Sequence, residues 1–295
     1  MMKKSVLALC IGISLASFPL QASAQQVDIT AELGEIVRKS ANELAVQINL
    51  AGKQRMLTQK MAKEALLVAL DLDARKNAAE LKKTVDLFEK TLKGLERGDD
   101  ELKLVKAPNE TISAQLDVVM KLWNDFKPLV LSVTEGKVDR KVLEEIAARN
   151  PKLLAEMDKA VKMFEQAAGT DMEDLAVAVN LSGRQRMLTQ KMAKEYFLVA
   201  LDIDKENNRK ELARTVSLFD TTLKGLLNGD ETQALPPATD PDIRAQLKRV
   251  MKMWEDYKSL LEQPVSRENL EKVARANMPI MHEMNKVVEL YEVSW

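Results

Sequence analysis

The chain of 295 residues is predicted to be all-α, folded as two tandem up-down four-helix bundles. Three observations predict this. Ala, Leu, Lys, Glu and Met abound, while Gly and Pro number only 10 and 9; that is a composition of long helices, not of sheets with many tight turns. Apolar residues recur at spacings of three and four, and no stretch alternates in the manner of a strand. Most of the sequence is also written twice: residues 54–64 recur identically as 185–195, an offset of 131. The same offset carries Thr91-Leu92-Lys93-Gly94-Leu95 onto residues 222–226, and Met120, Lys121 and Trp123 onto Met251, Lys252 and Trp254. Further on it falls to 127, pairing Asn150 with Asn277 and Met157 with Met284, which is expected to reflect a shortened loop around Gly136 and Pro264.

The first element, residues 1–24, reads as a secretory signal. Lys3 and Lys4 form its charged start, residues 6–16 its apolar run, and Ala22-Ser23-Ala24 the small residues needed for cleavage before Gln25. The run falls short of the ~20 residues of a bilayer-spanning helix. A lipid on Cys10 is disfavoured, because Cys10 follows Leu9 and sits inside the apolar run. The only Cys then leaves with the signal, as suits a bacterial periplasm and a core large enough to need no disulfide. Without Lys3 and Lys4, 42 basic groups face 45 acidic ones, and no later segment is long and apolar enough to span a membrane. The mature chain is expected to be soluble and periplasmic, with no output module of its own.

Bundle 1 is expected at 25–169 and bundle 2 at 170–295. The first helices cover about 29–73 and 172–204, and the second about 78–97 and 209–228, ended by Gly98 and Gly229. Polar, Pro-containing loops follow. The third helices cover about 112–133, with Pro128 as a kink, and 243–261. The fourth cover about 140–168 and 267–293, where Asn150-Pro151 and Asn277-Met278-Pro279 should bend or restart the helix.

Composition excludes several functions. One His and no mature Cys leave no thiol pair, His-based triad or Cys/His zinc site. The near-balanced charge provides no field to recruit nucleic acid. Carboxylate pairs such as Glu144-Glu145 and Asp71/Asp73 lack the Glu-x-x-His partners of a di-metal bundle. Phosphate loops and nucleophile elbows are missing. No enzyme, metal or cofactor is expected. Met278, Met281 and Met284 with His282 form a denser soft-ligand cluster, but core packing is the plainer reading. Core packing also accounts for Trp123, Trp254, Phe88 and Phe219. Lys82-Lys83 and Lys60/Lys63 read as solvated faces.

The first helix of each copy is apolar on two sides. Val46, Leu50, Leu57, Met61 and Val68 fall on one; Leu44, Ile48, Ala51, Ala62, Leu66 and Ala69 fall nearly opposite. Such a helix is buried on both sides, one against its own bundle and one against a further partner. Arg55 and Gln59 lie within the second side with Gly52 at its edge, and Arg186, Gln190 and Gly183 match them. A mid-helix Gly costs roughly 1 kcal/mol relative to Ala, so it belongs where another backbone or a ligand comes close. An Arg inside an apolar stripe must find an anion, a neighbouring carboxylate or several acceptors, or else snorkel to water.

Residues 49–59, Asn-Leu-Ala-Gly-Lys-Gln-Arg-Met-Leu-Thr-Gln, and 180–190, Asn-Leu-Ser-Gly-Arg-Gln-Arg-Met-Leu-Thr-Gln, resemble the motif of PilJ-type sensor domains. These are the N-terminal domains of type IV pilus methyl-accepting chemotaxis transducers. The motif is also similar to the Asn-x-Ala-Gly-x-x-Arg-Met stretch of NarX-type nitrate and nitrite sensors. The resemblance covers both repeats and implies a periplasmic four-helix bundle whose nitrate-binding members hold the anion between the first helices of two subunits, through the motif Arg of each. Carried over, it implies Arg55 and Arg186 as ligands of a small oxyanion such as nitrate or nitrite, with Gly52 and Gly183 allowing close approach. Gln59, Gln190, Asn49 and Asn180 would add amide donors. With both copies on one chain, the break at Gly169-Thr170-Asp171 would set the two first helices parallel, as a pseudo-dimer within the chain; a fourth helix running straight through would stack the bundles end to end. A membrane sensor or transducer is the implied partner. The alternative is a structural or protein-interaction helical module that has lost its ligand.

Overall fold

The computed structural model describes residues 22–167 and 173–293, and of residues 22–42, 173 and 175 only the backbone. Most of the expected export signal and the break at Gly169-Thr170-Asp171 lie outside the described residues. Residues 1–40 form one unit and residues 41–295 another, and the helix packing and the site belong to the second.

Eight α-helices make up nearly all of the described chain. Copy one supplies α1 (Ala22–Ala69), α2 (Ala74–Arg97), α3 (Glu110–Thr134) and α4 (Arg140–Ala167). Copy two supplies α5 (Glu173–Ala200), α6 (Lys205–Asn228), α7 (Pro241–Leu261) and α8 (Arg267–Val293). The all-α fold follows the helical periodicity of the sequence. Gly98 and Gly229 end α2 and α6 with φ of +89° in each case, a conformation open to Gly because it has no Cβ. Asn109 and Asp240 start α3 and α7 by accepting hydrogen bonds from the Ile112 and Ile243 amides.

Three expectations need correction. The loops expected between second and third helices contain short ordered pieces: an antiparallel pair, β1 (Gly98–Asp99) with β2 (Leu104–Lys106), and a 3₁₀ turn at Glu231–Gln233. The change of offset from 131 to 127 is not a shortened loop. The turns at 135–139 and 262–266 are equally long, whereas α3 has 25 residues and α7 has 21. Four residues make close to one helical turn, so the loss shortens a helix while rotating its faces by only about 40°. Finally, α4 and α8 run unbroken through Pro151 and Pro279. Their Asn150 and Asn277 side chains bond the neighbouring helices and hold the segment in line.

Each copy packs its aromatic core between its second and third helices, with Phe88–Trp123 and Phe219–Trp254 centroids 4.5 and 4.4 Å apart. The two copies join through their first and fourth helices. Asn150 and Glu165 of α4 contact Lys194 and Asn180 of α5, so residue numbers rise along one as they fall along the other. α4 runs against α1 in the same way, Asn150 meeting Thr58 and Asp158 meeting Arg55. Because α1 and α5 are both antiparallel to α4, they are parallel to each other. α8 repeats the arrangement, with Asn277 bonding Thr189 and accepting from Lys63.

The centre of the molecule is therefore a four-helix set drawn from both copies. This explains the doubly apolar first helices. From Ala51 to Leu67 every residue but Lys53 and Lys60 is buried; from Ser182 to Val199 every residue but the equivalent Arg184 and Lys191 is. The far ends are tied crosswise too: Arg140 donates to the Asp202 carbonyl, and Arg267 to those of Leu70 and Asp71.

Candidate functional site

Arg side chains on a helix lean toward its N-terminus. On two parallel helices at equal height, the two guanidinium groups therefore converge on the same level one turn back, where Gly52 and Gly183 stand. A Cβ on Gly52 would lie 3.4 Å from Arg55 Nη2 and 3.7 Å from Arg186 Nη2; on Gly183 the corresponding distances are 3.9 and 3.2 Å. The glycines thus leave space for guanidinium tips from both helices.

Each guanidinium is clasped by the opposite copy. Arg55 Nη2 donates to the backbone carbonyl and side-chain oxygen of Asn180 at 3.1 and 2.7 Å. Arg186 Nη2 donates to the same two atoms of Asn49 at 3.2 and 2.8 Å. The amide nitrogens of Asn180 and Asn49 donate in turn to Glu165 and Glu292. Both arginines are 1% exposed, and the Nε–H of each is buried without a partner.

The copies differ at the remaining contact. Arg55 Nη1 forms an ion pair with Asp158 at 2.7 Å, whereas Arg186 Nη1 reaches the amide oxygen of Asn285 at 2.7 Å. Among the described residues no carboxylate pairs directly with Arg186. Burial, and then the adjacent Arg55 charge, push the Arg186 guanidinium down to about 10, which leaves it charged at neutral pH. Burial also lowers Arg55, against the opposing pull of Asp158. The Asp158 carboxyl would rise through burial, but the charge and hydrogen bond of Arg55 outweigh this and hold it below its ordinary value. Burial raises Glu165 and Glu292. One of the two buried cations thus holds a carboxylate tightly and the other holds none directly, while two further carboxylates are tied to asparagines.

Of the sequence-predicted residues, Arg55, Arg186, Gly52, Gly183, Asn49 and Asn180 come together, the asparagines accepting from the arginines through their oxygens. Gln59 and Gln190 do not join them. They belong to a second polar layer about a turn further along, where Gln59 donates to Asn150 Oδ1 at 2.9 Å and Gln190 contacts Thr189 Oγ1 and Met278 Sδ.

Lys63 and Lys194 complete that layer, and here the expected solvated face is wrong. Lys63 is 3% exposed and Lys194 5%. They cross between the copies to Asn277 Oδ1 and Asn150 Oδ1 at 2.9 and 3.0 Å. Burial lowers both ammonium groups to about 8. Lys60 is also mostly covered, paired with the buried Glu64 and donating to Thr84, while Lys82 and Lys83 are exposed as expected. The Met/His cluster splits: Met281 and Met284 pack in the core, whereas His282 is exposed and lines a groove with Met278. Sequence reasoning missed Asp158, Asn285, Glu165, Glu292 and the two lysines. The offset of 127 that pairs Asp158 with Asn285 and Glu165 with Glu292 was the available signal.

Fold and site together define a duplicated all-helical domain, with a pair of buried arginines at the seam between its copies. The family profile PilJ, described as the type IV pili methyl-accepting chemotaxis transducer N-term, matches residues 36–160 and again 169–277, and the chain belongs to this family. It is 30% identical to methyl-accepting chemotaxis protein McpN of Pseudomonas aeruginosa over 38% of this chain and 21% of that protein. It is 26% identical to protein PilJ of the same organism over 70% of this chain and 30% of that one. It is 22% identical to the putative methyl-accepting chemotaxis protein AlkN of Alcanivorax borkumensis over 85% of this chain and 33% of that one. The chain thus spans about a fifth to a third of the length of these relatives. Among the described residues no helix is long and apolar enough to cross a membrane.

Proposed function

We propose that this chain is a periplasmic sensory module that binds one small planar oxyanion, of the nitrate or nitrite kind, between Arg55 and Arg186 and passes its state to a membrane transducer. The observation that carries the reading is the convergence of two buried guanidinium groups at Gly52 and Gly183, one of them without a carboxylate partner. Planar, charged forks match the geometry of a trigonal oxyanion, and each retains an unused Nε–H. Membership of a chemotaxis transducer family supports a sensory role, and the similarity of residues 49–59 and 180–190 to nitrate sensors supports the choice of anion. The export signal expected at residues 1–24 supports the compartment.

A second reading, a structural interaction module, is favoured by the Asn clasp. Asn49, Asn180 and Asp158 of the chain itself satisfy donors of both guanidinium groups. Titration calorimetry with nitrate, nitrite and acetate separates the two. The sensory reading expects saturable binding of nitrate or nitrite that is lost in both Arg55→Ala and Arg186→Ala. Heat-silent titrations with all three anions, together with unchanged thermal stability in nitrate, would leave the structural module.

A further inference from the structure

The seam between the copies bears two grooves related by the internal repeat. One, of about 580 Å³, lies between α8 and the α1–α2 pair; the other, of about 780 Å³, lies between α4 and the α5–α6 pair. The larger has the volume of a typical small-molecule site. Its greater size follows from the sequence. Ala148, Pro151 and Ala155 line it where Arg275, Met278 and His282 line the smaller groove. Three large side chains in one copy are replaced by three small ones in the other; elsewhere the walls differ at single positions, with Asn207 in the larger groove where Lys76 stands in the smaller.

The substitution also changes the floor. In the smaller groove Lys63 donates to Asn277 Oδ1 and contacts Met278 Sδ at 3.5 Å. In the larger, Pro151 replaces that thioether, and among the described residues Lys194 hydrogen-bonds only Asn150 Oδ1, with the Glu195 carboxylate acting on it through its charge. A lysine ammonium has three donors. Of the other cations lining this groove, Lys191 is engaged by Glu195 and Glu211 and Arg214 by Glu211, while Arg184 on the same wall has a buried Nε–H without a partner and adds to the positive side of the site. Asp158 is taken by Arg55 and Lys162. Lys194 is thus a buried cation with a neutral hydrogen-bond partner and spare donors, beside a wall formed by Leu154, Met187, Leu188, Leu198 and Leu218.

We propose that the groove between α4 and α5–α6 is a second ligand site, distinct from the arginine pair, taking a carboxylate with an apolar body whose carboxylate lies against Lys194 and whose body covers the leucine wall. An ion pair at a site largely screened from water gains more than one in solvent, and the apolar body contributes by the area it removes from water. Neither half of such a ligand suffices alone.

The test is calorimetric titration of the chain with octanoate, octanol and acetate. Octanoate is expected to bind saturably and at least tenfold more tightly than either of the others. Lys194→Met is expected to reduce octanoate affinity at least tenfold, to the level of octanol. Ala155→His, which places on an exposed helix position the side chain found in the smaller groove, is expected to reduce octanoate affinity at least tenfold while leaving any nitrate titration unchanged. No octanoate binding, equal affinity for octanol, or full affinity in Ala155→His would each overturn the proposal. Nitrate binding at Arg55 and Arg186 stands or falls independently of all three.

Discussion

Asp158 and Asn285 occupy equivalent positions on α4 and α8, and each accepts a 2.7 Å hydrogen bond from the Nη1 of its own copy's arginine. One is a carboxylate and the other an amide. Equal geometry with unequal charge makes the pseudo-dimer asymmetric where a symmetric pair of subunits could not be. It leaves Arg186 as the guanidinium with the greater unmet demand for negative charge.

Asp158 therefore competes with any anion bound between the arginines. Asp158→Asn, which makes copy one resemble copy two, is expected to raise oxyanion affinity about tenfold, equivalent to ~1.4 kcal/mol. Asn285→Asp is expected to abolish binding. Calorimetry on the two variants checks the pair, and an unchanged affinity in both would remove the arginines from the site.

The same asymmetry gives the arginines different structural weights. Arg55→Met leaves Asp158 with Lys162 as its remaining cation and deprives the buried Asn180 side-chain oxygen of its donor, so a loss of about 2 kcal/mol is expected. Both variants remove the repulsion between the two cations, but Arg186→Met breaks no ion pair and leaves only neutral acceptors without their donor. Its loss is expected to be less than half as large. Urea denaturation midpoints of the two variants, read at equal m-value, measure the difference.

Lys63 and Lys194 make stability depend on alkaline pH. Burial lowers each to about 8 from an ordinary 10.5. Below pH 8 both folded and unfolded chains hold these protons, and the folded state bears the full penalty of burying them. Between about 8 and 10.5 the folded chain releases protons that the unfolded chain keeps, so stability rises with pH. Tyr196, Tyr257 and Tyr291, raised by burial, act in the opposite sense above pH 10, where the unfolded chain ionises first. Arg186, lowered by burial to about 10, opposes the tyrosines there, so the rise between about pH 8 and 10 is the signature expected in a series of denaturation curves. That rise should shrink in Lys63→Met and Lys194→Met.

How much of the fold and site is legible in the sequence depends on whether a residue's role is local. Helix ends at Gly98 and Gly229, the aromatic cores and the doubly buried first helices follow from period and composition, because those act over a few turns. The convergence of Arg55 and Arg186 is legible because duplication wrote the same anomaly twice. Asn150 and Asn277 also stand out as a repeated pair, but a following Pro is a strong local signal for a helix break. It conceals a tertiary role: each Asn accepts a lysine from the other copy. Lys63 and Lys194 mislead for the same reason. A lysine beside Glu on a helix looks solvated until a second bundle is laid over it, and nothing local specifies which face that bundle covers. Asp158 and Asn285 stay hidden because their significance is a difference between copies, and attention to the repeat favours what stays the same.

Gly52 and Gly183 offer a test in which two effects of similar size oppose each other. Replacing a mid-helix Gly by Ala gains roughly 0.5–1 kcal/mol of backbone entropy. Against this stands any displacement of the guanidinium groups. At Gly52 the nearest guanidinium nitrogen would be 3.4 Å from the new Cβ, an ordinary contact, so the entropy gain wins and Gly52→Ala is expected to raise the melting temperature slightly. At Gly183 the nearest is Arg186 Nη2 at 3.2 Å. That atom is held by two oxygens of Asn49 while its neighbour Nη1 is held by Asn285, so it yields only by stretching bonds to buried acceptors. Gly183→Ala is therefore expected to gain nothing or to destabilise. Differential scanning calorimetry on the two single variants decides the matter: equal stabilisation of both would mean that the Arg186 clasp is looser than its three short contacts imply.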